Sequence, residues 1–116
     1  MALTRAEFDH IGIVTSEQQD GERWVEATRV WVTSPREHAY NVEWLRYEDD
    51  SPVTGPVRTQ PHVAFRVESI EKSSQGMKVL LEPFRPMEGL LVGFYQSGDG
   101  AVIELMEYSG SLFANA

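Results

Sequence analysis

Cysteine is absent from the sequence. That absence excludes disulfide scaffolds, zinc knuckles, thiolate nucleophiles and iron–sulfur clusters together, and it agrees with a reducing compartment. Basic residues are scarce too: 10 Lys and Arg stand against 18 Asp and Glu, for a formal charge of −8. They are scattered and form no stripe, so nucleic acid is a poor partner, because duplex binding depends on clustered cations that neutralise phosphates. The charge reads as a solubility term. No run approaches the roughly 20 apolar residues that span a bilayer, and the opening MALTRAEFDH carries no apolar signal-peptide core. A soluble, cytoplasmic protein without a membrane partner is expected.

What is present suffices for a single domain covering residues 1–116. A chain of this length, 41% hydrophobic, can build a core without metal or disulfide staples, so a metal has to be argued as functional. Most segments read as strands. Residues 8–14 form a short β-branched run, 24–32 (WVEATRVWV) are rich in β-formers, and 42–47 (VEWLRY) alternate apolar with polar. Residues 49–61, dense in Pro, Gly, Ser and Asp, read as a connector. A strand is expected over 62–67, then a short helix over 69–75 with Ser69 as N-cap and Gly76 as its stop. Strands over 78–84, 90–96 and 101–108 follow. Asp99-Gly100 marks a hairpin between the last two, since a tight primed turn needs positive φ. The tail from residue 109 onward is expected to fray.

The two halves resemble each other. HIGI at 10–13 parallels HVAF at 62–65, and VEWLRY at 42–47 parallels IELMEY at 103–108. Each half therefore opens on a strand with a His and closes on a strand with a Glu. Period-2 geometry puts His10 on one face with Gly12, His62 with Ala64 and Arg66, Glu43 with Leu45 and Tyr47, and Glu104 with Met106 and Tyr108. The opposite faces, with Ile11, Ile13, Val63, Phe65, Val67, Ile103 and Leu105, are apolar and are expected to belong to the core. Carboxylates and imidazoles recurring on inner faces need partners. One shared metal would satisfy all four.

Paired βαβββ modules, each supplying a ligand from its first and its last strand, define the vicinal-oxygen-chelate superfamily: glyoxalase I, methylmalonyl-CoA epimerase, extradiol dioxygenases and bleomycin-resistance proteins. FDHIGIVT resembles its opening strand, PHVAFRV the start of its second module, and GDGAVIELMEY its closing hairpin. The resemblance spans nearly all of residues 7–108. It implies an α+β fold of two modules related by a pseudo-twofold, about 7–48 and 62–108, with His10, Glu43, His62 and Glu104 as metal ligands in a glyoxalase I-like pattern. The first module departs from the pattern: His10 and Glu43 are 33 positions apart (10 to 43), against 42 for His62 and Glu104 (62 to 104), and residues 15–23 do not read as a helix. A shortened first module lacking its helix is expected. Its outer face, with Ile11, Ile13, Val42 and Trp44, would then be uncovered, which points to a homodimer.

Two imidazoles and two carboxylates suit divalent Zn, Ni, Co, Mn or Fe. A site neutralised by two glutamates can hold two adjacent substrate oxygens and stabilise the enediolate left when a carbon-bound proton is removed. The resemblance thus implies a metal-dependent lyase or isomerase, with Glu104 as the base and Glu43 as its counterpart. Arg66, Tyr47 and Met106 are candidates for substrate contact. The alternative is a non-catalytic protein that binds or sequesters a small molecule, as bleomycin-resistance proteins do. Iron-dependent dioxygenase chemistry would need only His10, His62 and Glu104, and the extra Glu43 argues against it. His38 has no counterpart and reads as a surface residue; Trp24 and Trp31 read as packing residues.

Overall fold

The computed structural model describes residues 7–109. The expected fraying concerns residues 110–116 in the main, which lie outside that range, as do the first six. The described residues form a mixed α+β fold with few helices, dominated by an eight-stranded sheet curled into a half-barrel. The strands are β1 (Phe8–Val14), β2 (Arg23–Val25), β3 (Val30–Val32), β4 (Val42–Tyr47), β5 (His62–Arg66), β6 (Lys78–Met87), β7 (Leu90–Gln96) and β8 (Val102–Tyr108). Two four-residue helices, α1 (Pro56–Thr59) and α2 (Ile70–Ser73), and a 3-10 turn at Pro35–Glu37 complete the regular elements. No helix among the described residues is long and apolar enough to cross a membrane.

The sheet order is β2-β3-β4-β1-β5-β8-β7-β6. β1 and β5 meet antiparallel at the centre, and each has a parallel partner on its outer side, β4 and β8 respectively. The elements follow local chemistry closely in the second half. The Ser69 hydroxyl accepts the Lys72 N–H at the start of α2, and Gly76 sits at φ +82° beyond its end. The hairpin at Asp99-Gly100 forms, but as a five-residue loop in which Gly100 alone takes the left-handed conformation at φ +93° and the Asp99 carboxylate accepts from the Ser97 hydroxyl.

Several expectations are corrected. Residues 24–32 are not one strand: a turn at 26–29, closed by Arg29 N–H to the Glu26 carbonyl, splits them into β2 and β3. The split lets Trp24 pair across the hairpin with Trp31, ring centroids 5.0 Å apart, a contact that a single extended strand would forgo. The connector is more than a linker, because it folds α1 and buries Val53 and Val57 in the main core beside Ala64, Val92, Phe94 and Met106. β6 runs to Met87, three residues past its expected end.

The assignment of faces is corrected as well. The side carrying the His and Glu residues is the more deeply buried one, and Ile11, expected in the core, is 36% exposed. Ile13, Val63, Phe65 and Ile103 are only partly buried. α2 explains the exceptions. Its Ile70 closes a second cluster with Val67, Tyr95 and Leu105 on the outer face of the second half, and residues 15–22 supply no helix to do the same for the first.

Candidate metal centre

Strand register brings the four sequence-chosen residues together. Across the centre of the sheet, Gly12 lies between Glu43 on β4 and His62 on β5, while Ala64 lies between His10 on β1 and Glu104 on β8. Each rung thus has a small residue in the middle, and the two large side chains can lean over it toward the other rung. Gly12 is indispensable to that geometry. A Cβ there would lie 2.0 Å from His62 Cε1 and 2.3 Å from Nε2, inside the imidazole itself.

The ligand atoms of His10, Glu43, His62 and Glu104 all lie within 4.8 Å of one another, so the four can hold a metal ion. His10 Nε2 is 3.4 Å from Glu43 Oε1 and 3.3 Å from Glu104 Oε1; His62 Nε2 is 3.6 Å and 3.1 Å from the same two oxygens. Ligands bonded to one cation at about 2.1 Å, and about 90–110° apart, are separated by about 3.0–3.4 Å. Three of the four separations fall in that range, and His62 to Glu43, at 3.6 Å, lies just beyond it. None of these contacts has hydrogen-bond geometry, which leaves His10 Nε2, His62 Nε2 and Glu104 Oε1 buried without hydrogen-bond partners among the described residues. Buried polar atoms are nearly always satisfied, so a set of orphans converging on one point fits a cation.

Electrostatics tie the cluster together even without the cation. Burial would lower the pKa of His10, yet Asp9, Glu104 and Glu43 outweigh it and push the value up to about 12. His62 responds likewise, burial opposed by Glu104 and Glu43, and reaches about 9. Glu104 is held down at about 2, because both imidazoles overcome the burial that would raise it. Tyr47 stays protonated: burial, then the charges of Glu43 and Glu104, drive its phenol above its ordinary value.

One functional residue escaped the sequence reading. Asp9 Oδ2 lies 2.6 Å from His10 Nδ1 and accepts a hydrogen bond from it, which orients the ring so that Nε2 points at the cluster and would be the atom offered to a cation. Strand alternation would send Asp9 to the opposite face; the shifted register between Phe8 and His10 turns it inward. Arg36 Nη2 donates to Asp9 Oδ2 at 3.0 Å and to its carbonyl at 3.0 Å, and Arg66 Nε approaches Oδ1 at 3.4 Å. These cations and His10 hold the Asp9 carboxyl below its ordinary pKa in spite of burial. The repeat does not mark it, because Pro61, not an acid, precedes His62. The adjacent Asp9-His10 pair was the available signal.

His10, Glu43 and Glu104 line a cavity of about 510 Å³, with His62 behind them. Tyr47 and Met106 line it. Arg66 does not; it faces Asp9 instead. Trp24 packs on Trp31 and also forms part of the cavity wall. His38 lies outside the cluster, its Nδ1 accepting the Tyr40 N–H.

A curled mixed sheet with a four-residue candidate cation site at its centre is the class of protein these features define. No family model matches the sequence, and no curated protein matches it. Among solved structures, the crystal structure of a hypothetical protein from Bacillus halodurans C-125 is similar over 90% of this chain and 95% of its own, with a TM-score of 0.67 and 22% identity. That similarity concerns the fold.

Proposed function

We propose that the chain is a two-module vicinal-oxygen-chelate domain whose cluster binds one divalent transition metal and promotes a glyoxalase-type proton transfer, as a lyase or isomerase. The convergence of four ligand atoms, three of them buried without hydrogen bonds, carries this reading. The module assignment draws support from strand pairing. Ile11 pairs with Val42 and Gly12 with Glu43; their counterparts pair alike, Val63 with Ile103 and Ala64 with Glu104. The central pairs His10–Ala64 and Gly12–His62 exchange places under the same correspondence, as a twofold axis requires.

When bound, a divalent cation supplies Lewis-acid polarisation of two adjacent substrate oxygens. The chain's residues do the rest. His10, fixed by Asp9, and His62, held over Gly12, act as neutral ligands. Glu104, with its side chain 10% exposed and within 3.3 Å of both imidazoles, is the permanent carboxylate. Glu43 is 17% exposed and sits 3.4–3.6 Å from them, the looser of the two. We therefore assign the base to Glu43, in place of the Glu104 expected from sequence. Its carboxylate takes the proton from the hydroxyl-bearing carbon, the C–H electron pair becomes the enediolate C=C bond as the carbonyl π pair moves onto its oxygen, and the proton returns to the former carbonyl carbon while the hydroxyl proton passes to that carbon's oxygen.

Two measurements test this. Protein purified without chelator should carry one equivalent of transition metal, and the loaded form should exchange the carbon-bound hydrogen of a 2-hydroxy ketone with deuterated water, losing that exchange in Glu43→Gln while retaining metal. Absence of metal binding after titration sinks the proposal. The mainly apolar cavity favours sequestration as the second reading, and bound metal with ligand affinity but no exchange would establish it. The same proposal has a second copy of the chain covering the face of Ile11, Val42 and Trp44; sedimentation as a monomer at micromolar concentration overturns that part.

A further inference from the structure

The cavity is much larger than two adjacent oxygens and their carbons require. Its volume of about 510 Å³ lies within the range of about 300–1,000 Å³ found for pockets that enclose drug-sized ligands. Away from the cluster its walls are mainly apolar, with Trp24, Val30, Leu81, Phe84, Met87 and Leu90 prominent. Water gains little from filling such a space, whereas hydrocarbon gains its transfer free energy.

The wall on β6 is built for this. Leu81, Phe84 and Met87 are spaced by three, and in a regular strand a spacing of three puts successive side chains on opposite faces. The pairing of β6 with β7 shifts register between Val79 and Leu81, again between Leu81 and Phe84, and again between Phe84 and Met87. All three side chains line the cavity as a result. Met87 remains 60% exposed, an apolar side chain at the cavity mouth. The β2–β3 hairpin adds Val25, Val30 and Val32 to the wall, on the face it shares with Leu45 and Tyr47, while Trp24 packs with Trp31 and Arg29 on the hairpin's other face.

We infer that the natural ligand carries an extended aliphatic or aromatic body of about ten or more carbon atoms, seated between the bulged β6 wall and the valines of the β2–β3 hairpin, with its oxygen-bearing head at the His10–Glu104 cluster. This rests on the metal-centre reading for the head alone; the body is argued from the walls.

Linear alkyl hydroxamates, which present two adjacent oxygens on a tail of chosen length, separate the two parts. Calorimetric titration of zinc-loaded protein should show affinity rising by up to about fourfold per methylene, reaching at least about 100-fold between the two-carbon and eight-carbon compounds. Phe84→Ala and Met87→Ser should reduce that gain to below about tenfold while leaving the two-carbon compound bound as before; Met87 is exposed, so its variant does not threaten folding. Affinity flat with tail length, or no binding of any hydroxamate, overturns the proposal. A full chain-length gain that persists in chelator-stripped protein upholds the apolar body and overturns the metal as its anchor.

Discussion

Residues 7–48 and residues 62–108 hold a His and a Glu in matching strand registers, yet they support them by different physics. The second half is held by hydrocarbon. Its outer face closes under α2 through Val67, Ile70, Tyr95 and Leu105, and it supplies most of the inner cluster as well. The first half has two three-residue strands, no helix over residues 15–22, and a partly open outer face. It is tied by charge instead. Arg46 grips Glu22 through two bonds of 2.7 and 2.9 Å, Arg29 reaches Asp50 at 2.7 Å, and Arg36 clamps Asp9. The ligands inherit this difference. His10 has a carboxylate behind Nδ1; His62 Nδ1 is buried with no hydrogen-bond partner among the described residues, its ring packed edge-on to Phe94 at 5.1 Å. One half orients its histidine by a hydrogen bond and the other by shape.

The contrast can be broken most severely at Gly12. Gly12→Ala drives a methyl group into the His62 ring, so metal affinity measured by calorimetry should fall by more than the ten- to hundredfold typical of an outer-shell change. The mirror change, Ala64→Gly, should leave affinity within about tenfold. Equal effects would show that His62 is not seated by Gly12.

Stability should divide along the same line. Leu105→Ala, in the hydrocarbon-held half, is expected to cost about 2–5 kcal/mol in denaturant unfolding. Glu22→Gln removes the charge from a part-buried bidentate pair, Arg46 22% and Glu22 6% exposed, and should cost less, about 1–2 kcal/mol. A loss at Glu22 as large as that of Leu105→Ala would mean that the first half depends on that pair as heavily as the second depends on its core.

Asp9→Asn tests the hydrogen-bonded histidine directly. Metal affinity should drop about 10- to 100-fold, the usual size for a partner that orients a ligating imidazole. An unchanged affinity would remove Asp9 from the centre and leave it a partner of Arg36 and Arg66 alone.

The smallest effect is a divergence with pH. In stripped protein the raised pKa of His10, from 6.5 to about 12, stabilises the fold fully below about pH 6.5 and progressively less as pH climbs. Glu104, lowered from 4.5 to about 2, contributes above about pH 4.5 and is lost as pH falls. The cluster's contribution should therefore peak between about pH 4.5 and 6.5. A cation needs both imidazoles deprotonated, so the stabilisation it adds should grow from pH 5 to pH 9. Thermal melts of loaded and stripped protein should separate as pH rises; a constant gap would mean that binding displaces no protons.

The four cluster residues were legible because a duplicated pattern repeats its chemistry as well as its shape: His and Glu recur at matching positions of HIGI and HVAF, and of VEWLRY and IELMEY. Helix α2 was legible from Ser69 and Gly76, whose capping roles are local. Asp9 was not, because its inward turn depends on a shifted register against β5, an agreement between residues far apart in the chain. The hairpin within 24–32 was missed for a similar reason: every residue there tolerates a strand, and the choice fell to a cross-strand Trp24–Trp31 contact that exists only after the turn forms. Outside the shifted registers at Asp9 and along β6, period-2 alternation by itself determined which side chains share a face. Which face is buried deepest was decided only by tertiary structure, since the curl of the sheet encloses one side and a single short helix covers part of the other.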